Sequence, residues 1–377
     1  MSRTRTWFTL SLAALVLGGI APGASGSSGQ TLSFTAGLGS LYDDNILEYS
    51  EDQIREFELG LNPDRYAIQT RDDLVVDPAL SLSWKADQGA GRRHLAQLRG
   101  EGDYHQNNAN ADFGSLRALW RESWSRDRRL SLAYSQVPRY YLRQLLDDDS
   151  VSVPGATPYG RAEFRLQTAS TAWIQRLAPG LLVAVAYRYE GRDYNRDFDE
   201  RDSRLHRVGL ELSRVRLPRH ATASLGGGYR VSRARATDGN DLEPLPDPDL
   251  SYHGLDLDLG GHMELARSGP WRLAGDVAYD LETRTFDSDR PTDKYHYRRH
   301  DLLHAIEVGA HAAYHPHVAL RAFFRFETNA ADLGSTAPLS SDAGSYRASQ
   351  VGLALEWSGN LWHSSDGEGE SETETQP

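Results

Sequence analysis

Several stretches of this 377-residue chain carry charge repeatedly on one parity: Arg99-Glu101-Asp103, Arg188-Glu190-Arg192, and Asp276, Asp280, Glu282 and Arg284. A spacing of two puts such residues on one face of an extended strand. Arginine dominates this face in the middle of the chain, with Arg117, Arg121, Arg165, Arg188, Arg192, Arg207 and Arg230 against Glu163, Glu190 and Glu211. Carboxylates dominate it further on, with Asp256, Asp258, Asp276, Asp280, Glu282 and Glu307 against Arg272 and Arg284. If the strands close into a ring, a basic wall faces an acidic wall. The resulting transverse field would orient water and zwitterionic or sugar-like solutes. The competing arrangement is a lumen neutralised by cross-strand arginine–carboxylate pairs.

Other chemistry is thinly represented. There is no Gly-x-Ser-x-Gly elbow and no His-Glu-x-x-His zinc helix. With no Cys, thiolate metal sites, disulfides and lipoprotein anchors are excluded. His296, His300 and His304 read as one strand face, and His311, His315 and His317 surround a turn. A metal site would need a further ligand converging across strands. Asp197-Phe-Asp199-Glu200, Asp238-Gly-Asn-Asp241-Leu-Glu243 and Asp147-Asp148-Asp149 offer oxygen ligands without the full spacing of a calcium loop. No catalytic residue, metal or cofactor is assigned. A net charge of −12 argues against a nucleic-acid partner, which needs a basic face.

The elements that must carry these residues alternate with period two. Leu80, Leu82 and Trp84 interleave with Ser81, Ser83 and Lys85, and the same pattern recurs in fourteen segments between residues 31 and 358. Most run well beyond the roughly 5–6 residues usual in a soluble sandwich. That length suits tilted strands crossing a bilayer. One face is apolar and the other highly charged, with little sequence left for a covering layer, so lipid is the expected partner of the apolar face. Closure is then required, because an open edge in hydrocarbon leaves backbone groups unpaired. Mean hydropathy is −0.58. Beyond residue 26 no apolar run approaches the ~20 residues of a membrane helix. The fold class expected is an all-β, antiparallel, up-and-down transmembrane barrel of 14 strands, monomeric.

Connection lengths agree. The long segments Asp43–Asp73, Gln106–Gly114, Arg139–Gly160, Asn195–Ser203, Arg235–Leu250, Phe286–His300 and Ala330–Ser345 alternate with short ones such as Ala178–Gly180 and Arg267–Pro270. Such alternation is that of external loops and periplasmic turns. An even strand number puts both termini in the periplasm. Trp84, Trp124, Trp271, Tyr314 and Trp357 lie near the turns, and Tyr42, Tyr104, Tyr189 and Tyr229 near the loops, as girdle aromatics do. Residues 1–26 read as a signal peptide, with Arg3 and Arg5, an apolar core from Trp7 to Ile20, and Ala24-Ser25-Gly26 at the cleavage site. Residues 27–358 form the barrel, and 359–377 read as an acidic disordered tail.

Two motifs carry a family likeness. Gln350-Val-Gly352-Leu-Ala-Leu355-Glu-Trp357 resembles the C-terminal strand signature of bacterial outer-membrane barrels. That resemblance implies recognition by the barrel-assembly machinery. Most such barrels end at the aromatic residue, whereas here a tail follows. Leu41-Tyr42-Asp43-Asp44-Asn45-Ile46, together with Asp73-Leu-Val-Val-Asp-Pro-Ala-Leu-Ser-Leu82, resembles uncharacterised porin-type outer-membrane proteins of Gram-negative bacteria, some linked to exopolysaccharide systems. The insert Glu48–Asp72 is long for that pattern, and Gln53–Leu61 is expected to add a short helix or hairpin at the mouth. The function expected is a pore in outer-membrane lipid for small polar solutes or polysaccharide. The alternatives are a non-conducting envelope scaffold and an outer-membrane hydrolase.

Overall fold

The computed structural model describes residues 29–364 except 90, 147–158, 219–220, 236–248, 290–292, 294–295, 315–316 and 333–343. The signal-peptide segment, the tail beyond 364, Asp147–Asp149, Asp238–Glu243 and His315 lie outside the described residues. Fourteen strands follow one another: β1 (Gly29–Asp43), β2 (Asp73–Asp87), β3 (Arg93–His105), β4 (Phe113–Ser123), β5 (Arg128–Leu146), β6 (Tyr159–Ala178) and β7 (Leu181–Tyr194). They continue as β8 (Ser203–Leu217), β9 (Ala221–Ala234), β10 (Tyr252–Ser268), β11 (Trp271–Phe286), β12 (His300–Tyr314), β13 (Val318–Asp332) and β14 (Tyr346–Ser364). Each pairs with its neighbours in chain order, and β1 pairs antiparallel with β14 to close the barrel. Both described ends, Gly29 and Ser364, lie at the end of the barrel that carries the short turns.

Alternation decides what faces where. Leu80 and Leu82, Val185 and Tyr187, Val208 and Leu210, and Val351 and Leu353 are exposed on the outer parity. A surface this apolar, wrapped around a charged interior, is the inverse of a soluble protein. The outer aromatics form cross-strand pairs toward the short-turn end. Ring centroids of Trp271 and Tyr314 lie 4.9 Å apart, of Phe34 and Trp357 5.0 Å apart edge to face, of Trp124 and Trp173 5.4 Å apart, and of the stacked Trp84 and Trp120 6.4 Å apart.

Two boundaries differ from the sequence expectation. The loop expected to begin at Arg139 is strand as far as Leu146, where β5 still pairs with Tyr159. Pro138 suggests a strand end because it removes a ladder donor. Here register shifts on either side of Tyr140 absorb it and let the ladder resume. The acidic tail does not start at Gly359, because β14 runs on to Ser364 and pairs with β1 down to Gln30. A shift between Leu32 and Ser33 leaves Leu361 as the extra residue and keeps Trp362 opposite Leu32.

The first long connection is folded. Helix α1 (Glu51–Glu58) starts at a capping box in which Ser50 and Gln53 exchange side-chain and backbone hydrogen bonds. It lies within the segment where sequence suggested a helix or hairpin. Ile54 and Phe57 pack on Leu47, Tyr49, Tyr66 and Ile68, and this cluster extends to Tyr141 of β5 and Ala111 of the next loop.

Candidate functional site

The mouth is shaped by that first connection. Asn45 ties its start: Nδ2 donates to the carbonyls of Tyr49 and Arg347, and Oδ1 accepts from the Tyr49 amide. The buried Asp73 carboxylate ties its end, accepting from the backbone amides of Asn107 and Asn108 and from Asn108 Nδ2. Between these anchors Glu48 takes a left-handed backbone (φ 53°), uncommon for a residue with a side chain. Its side chain stays solvent-accessible at the mouth, close to the Tyr346 hydroxyl and to Glu327, Arg143 and Arg284. Crowding by the surrounding protein, with the Glu327 charge nearby, pushes the Glu48 carboxyl above the ordinary glutamate range. A cavity of about 210 Å³ beneath this loop is lined by Glu48, Asp103, Tyr140, Arg325, Glu327 and Gln350.

Along β7–β11 a second cavity of about 430 Å³ opens, in which arginines surround buried carboxylates. Glu190 accepts from Arg188 at 2.7 Å and from Arg192 at 2.8 Å. Asp256 accepts from Arg207 Nε at 3.0 Å and also pairs with Arg230 at 3.1 Å. Glu282 pairs with Arg230 at 2.5 Å and Arg284 at 2.7 Å. Arg207 stands on β8 and Asp256 on β10, so the bond crosses β9. Gly228 makes the crossing possible, since a Cβ there would sit 3.0 Å from Arg207 Nε and 3.1 Å from Asp256 Oδ1.

The expected acidic wall is also paired, by residues that the wall-by-wall reading left out. Arg321 on β13 bonds Glu307 and lies 3.5 Å from Asp276. Arg325 lies 3.9 Å from Asp280 and 4.0 Å from Glu307, and donates to Glu327 at 2.7 Å. His311 also contacts Asp276. Gly309 repeats the role of Gly228, because its missing side chain leaves room for the Asp276 carboxylate on the way from β11 to β13. A basic wall facing an acidic wall along the expected strands is therefore replaced by a paired band. Inward carboxylates without an ion-pair partner among the described residues include Asp43, Asp77 and Asp103 on β1–β3, with Glu211 on β8 and Glu356 on β14.

Arg165 is not in the lumen. It pairs with Asp193 in a register that puts both on the parity of the exposed Trp173. Glu163 shares that outer parity and binds Arg139 and Arg161. Arg117 and Arg121 do occupy the inward parity of β4 and have no carboxylate partner among the described residues, and Arg121 Nε is buried without a hydrogen-bond partner. The histidines do not converge: His296 is bonded to Asp293 in a loop, His304 to Tyr279 on the outer face, and His317 to the Ser358 carbonyl. Asp199 and Glu200 are each held by an arginine, Arg235 and Arg201.

In the closing strand, Gln350 and Gly352 face inward and Leu355 and Trp357 face outward. A Cβ on Gly352 would lie 2.4 Å from the Phe323 ring. Both crossing pairs pass an inward glycine that lies opposite the aspartate it makes room for, Gly228 opposite Asp256 and Gly309 opposite Asp276.

No protein-family model matches the chain, and no curated protein matches it in sequence. Similar solved structures include a bacterial polysaccharide outer-membrane secretin (TM-score 0.44, 11% identity, 85% of this chain and 97% of that one). They also include an anion-selective porin from Comamonas acidovorans (TM-score 0.40, 12% identity, 88% and 99%) and OmpT, an outer-membrane protein of Vibrio cholerae (TM-score 0.41, 8% identity, 90% and 100%). What the barrel can do follows from its own geometry.

Proposed function

We propose that the chain is an outer-membrane pore for small polar solutes or extended polysaccharide, with both termini in the periplasm. One observation carries this reading: a closed 14-strand barrel presents apolar side chains outward and a band of charged, partly exposed side chains inward. Fourteen strands lie between the packed interior of about 8 and the aqueous channel of 16–18. The first connection narrows the mouth at Glu48. The field across the lumen runs from the unpaired carboxylates Asp77 and Asp103 on β2–β3 to the arginines of β7–β9 opposite. Closing depends on the terminal signature Gln350, Gly352, Leu355 and Trp357 and on the assembly machinery that would recognise it.

A second reading, a non-conducting scaffold, is favoured by the packing of the first connection across the mouth and by the extent of lumen pairing. Swelling of liposomes containing the purified protein separates the two. A pore admits small neutral sugars at rates that fall with sugar size, whereas a scaffold leaves the liposomes as tight as protein-free ones.

A further inference from the structure

The cavity on β7–β11 is unequal in what it shows to a solute. Its carboxylates are sunk: side-chain exposure is 8% for Glu190 and 3% for Asp256. The arginine side chains that hold Glu190 are open, at 49% for Arg188 and 41% for Arg192, whereas Arg207 and Arg230 on Asp256 are more covered, at 23% and 16%. Buried carboxylates hold the arginines in place, fixing forks that would otherwise lose side-chain entropy on binding. Arg192 lies over the Phe164 ring at 5.7 Å and Arg284 over the Tyr252 ring at 5.6 Å, which restrains both further. Five arginines against three sunk carboxylates leave a local excess of positive charge. The one open carboxylate is Asp258, at 51%.

From this arrangement we propose that the cavity is an oxyanion-binding subsite of the pore, taking carboxylate or phosphate groups on the permeating solute. A planar, forked donor matches a two-oxygen anion better than a point charge does. The donors come from β7, β8, β9 and β11, so a bound oxyanion touches one side of the lumen and leaves the other open for passage. Asp258 sets the affinity from the opposite direction, since it competes with the solute for Arg207, to which it lies 3.2 Å away. The inference rests on the pore reading for its setting but not for its binding chemistry.

The test uses the full-length barrel, with tripolyphosphate, trigalacturonate and maltotriose as probes. Binding is measured by calorimetry in detergent, and current block is measured in planar bilayers. Both anions should bind saturably and block, and maltotriose should not. Arg188→Gln leaves Glu190 its bonds to Arg192, so the fold is retained while one donor is lost. Anion affinity should fall on the order of tenfold, the weight of one charge-assisted hydrogen bond. Asp258→Asn leaves Arg207 its bond to Asp256 and should raise affinity. Equal binding by wild type and both variants overturns the subsite, as does binding of maltotriose equal to that of the anions. If only the phosphate or only the uronate binds, the subsite stands and the solute is identified. Conductance without anion block refutes the subsite and leaves the pore reading intact. Anion binding without conductance refutes the pore and leaves the subsite.

Discussion

Asp43 Oδ2 accepts a hydrogen bond from Gln350 Nε2 at 2.8 Å across the seam where the first and last strands meet. Around it, the Ser349 amide donates to Asp44 Oδ1 at 2.7 Å and Asn45 reaches the Arg347 carbonyl at 2.9 Å. The two motifs that carry the family likeness, 300 residues apart in sequence, are thus one structural unit that closes the barrel and anchors the first connection.

Closure should therefore be sensitive at Gly352. Gly352→Asp adds a side chain against Phe323 and should cost about 1–3 kcal/mol, as overpacking does. Trp357→Ala, which removes the contact with Phe34, should also lower the folded yield. The fraction of heat-modifiable protein on gels reads both. Deleting residues 365–377 should leave that fraction unchanged.

The bond across β9 predicts a steric phenotype at a residue with no charge. Gly228→Val blocks the path from Arg207 to Asp256 and leaves the buried carboxylate only its pair with Arg230, with a loss of about 1.5–3 kcal/mol. Gly227→Ala, on the outward parity of the same strand, should cost less than 1 kcal/mol. Urea unfolding of the refolded barrel distinguishes them, and equal stability of the two variants would remove the crossing pair from the account.

The alternation that made fourteen strands legible is enforced by the physics of a two-faced sheet, so it survives in composition alone. Side-chain assignment to the lumen is weaker, because beyond the lipid band the outer parity becomes polar too. Arg165 and Glu163 lie there, and by polarity they look like lumen residues. Pro138 hid the last part of β5 because bulge geometry leaves no sequence mark. The partners of Asp276 and Glu307 depend on register two strands away, and no local pattern encodes that.

Glu48 makes the mouth sensitive to pH. Its carboxyl is pushed above the usual range because the crowded mouth partly desolvates the charge and Glu327 repels it, so the packed loop holds its proton more tightly than a released loop would. The packed state is favoured at low pH and loses stability as pH rises from the ordinary glutamate range through the raised value. Arg143 and Arg284 oppose this shift and Glu327 supports it. Access of protease to α1 should increase with pH in the wild type. In Glu48→Gln it should stay at the low-pH level; an unchanged profile in that variant would exclude Glu48 as the sensor.

Orientation has a direct check. An epitope inserted at Gly60, in the open end of α1, should be reached by antibody on intact cells, and one at Gly269 in the β10–β11 turn should not. The reverse labelling would invert the barrel.

Single-channel recording of the purified, heat-modifiable barrel in a planar bilayer under a salt gradient tests the pore itself. Discrete conductance steps are expected. The reversal potential should move toward anion preference in Asp77→Asn/Asp103→Asn and toward cation preference in Arg188→Gln, both shifts shrinking at high salt as screening shortens to ~3 Å at 1 M. A folded, inserted barrel that passes no current in any of the three forms would contradict the account.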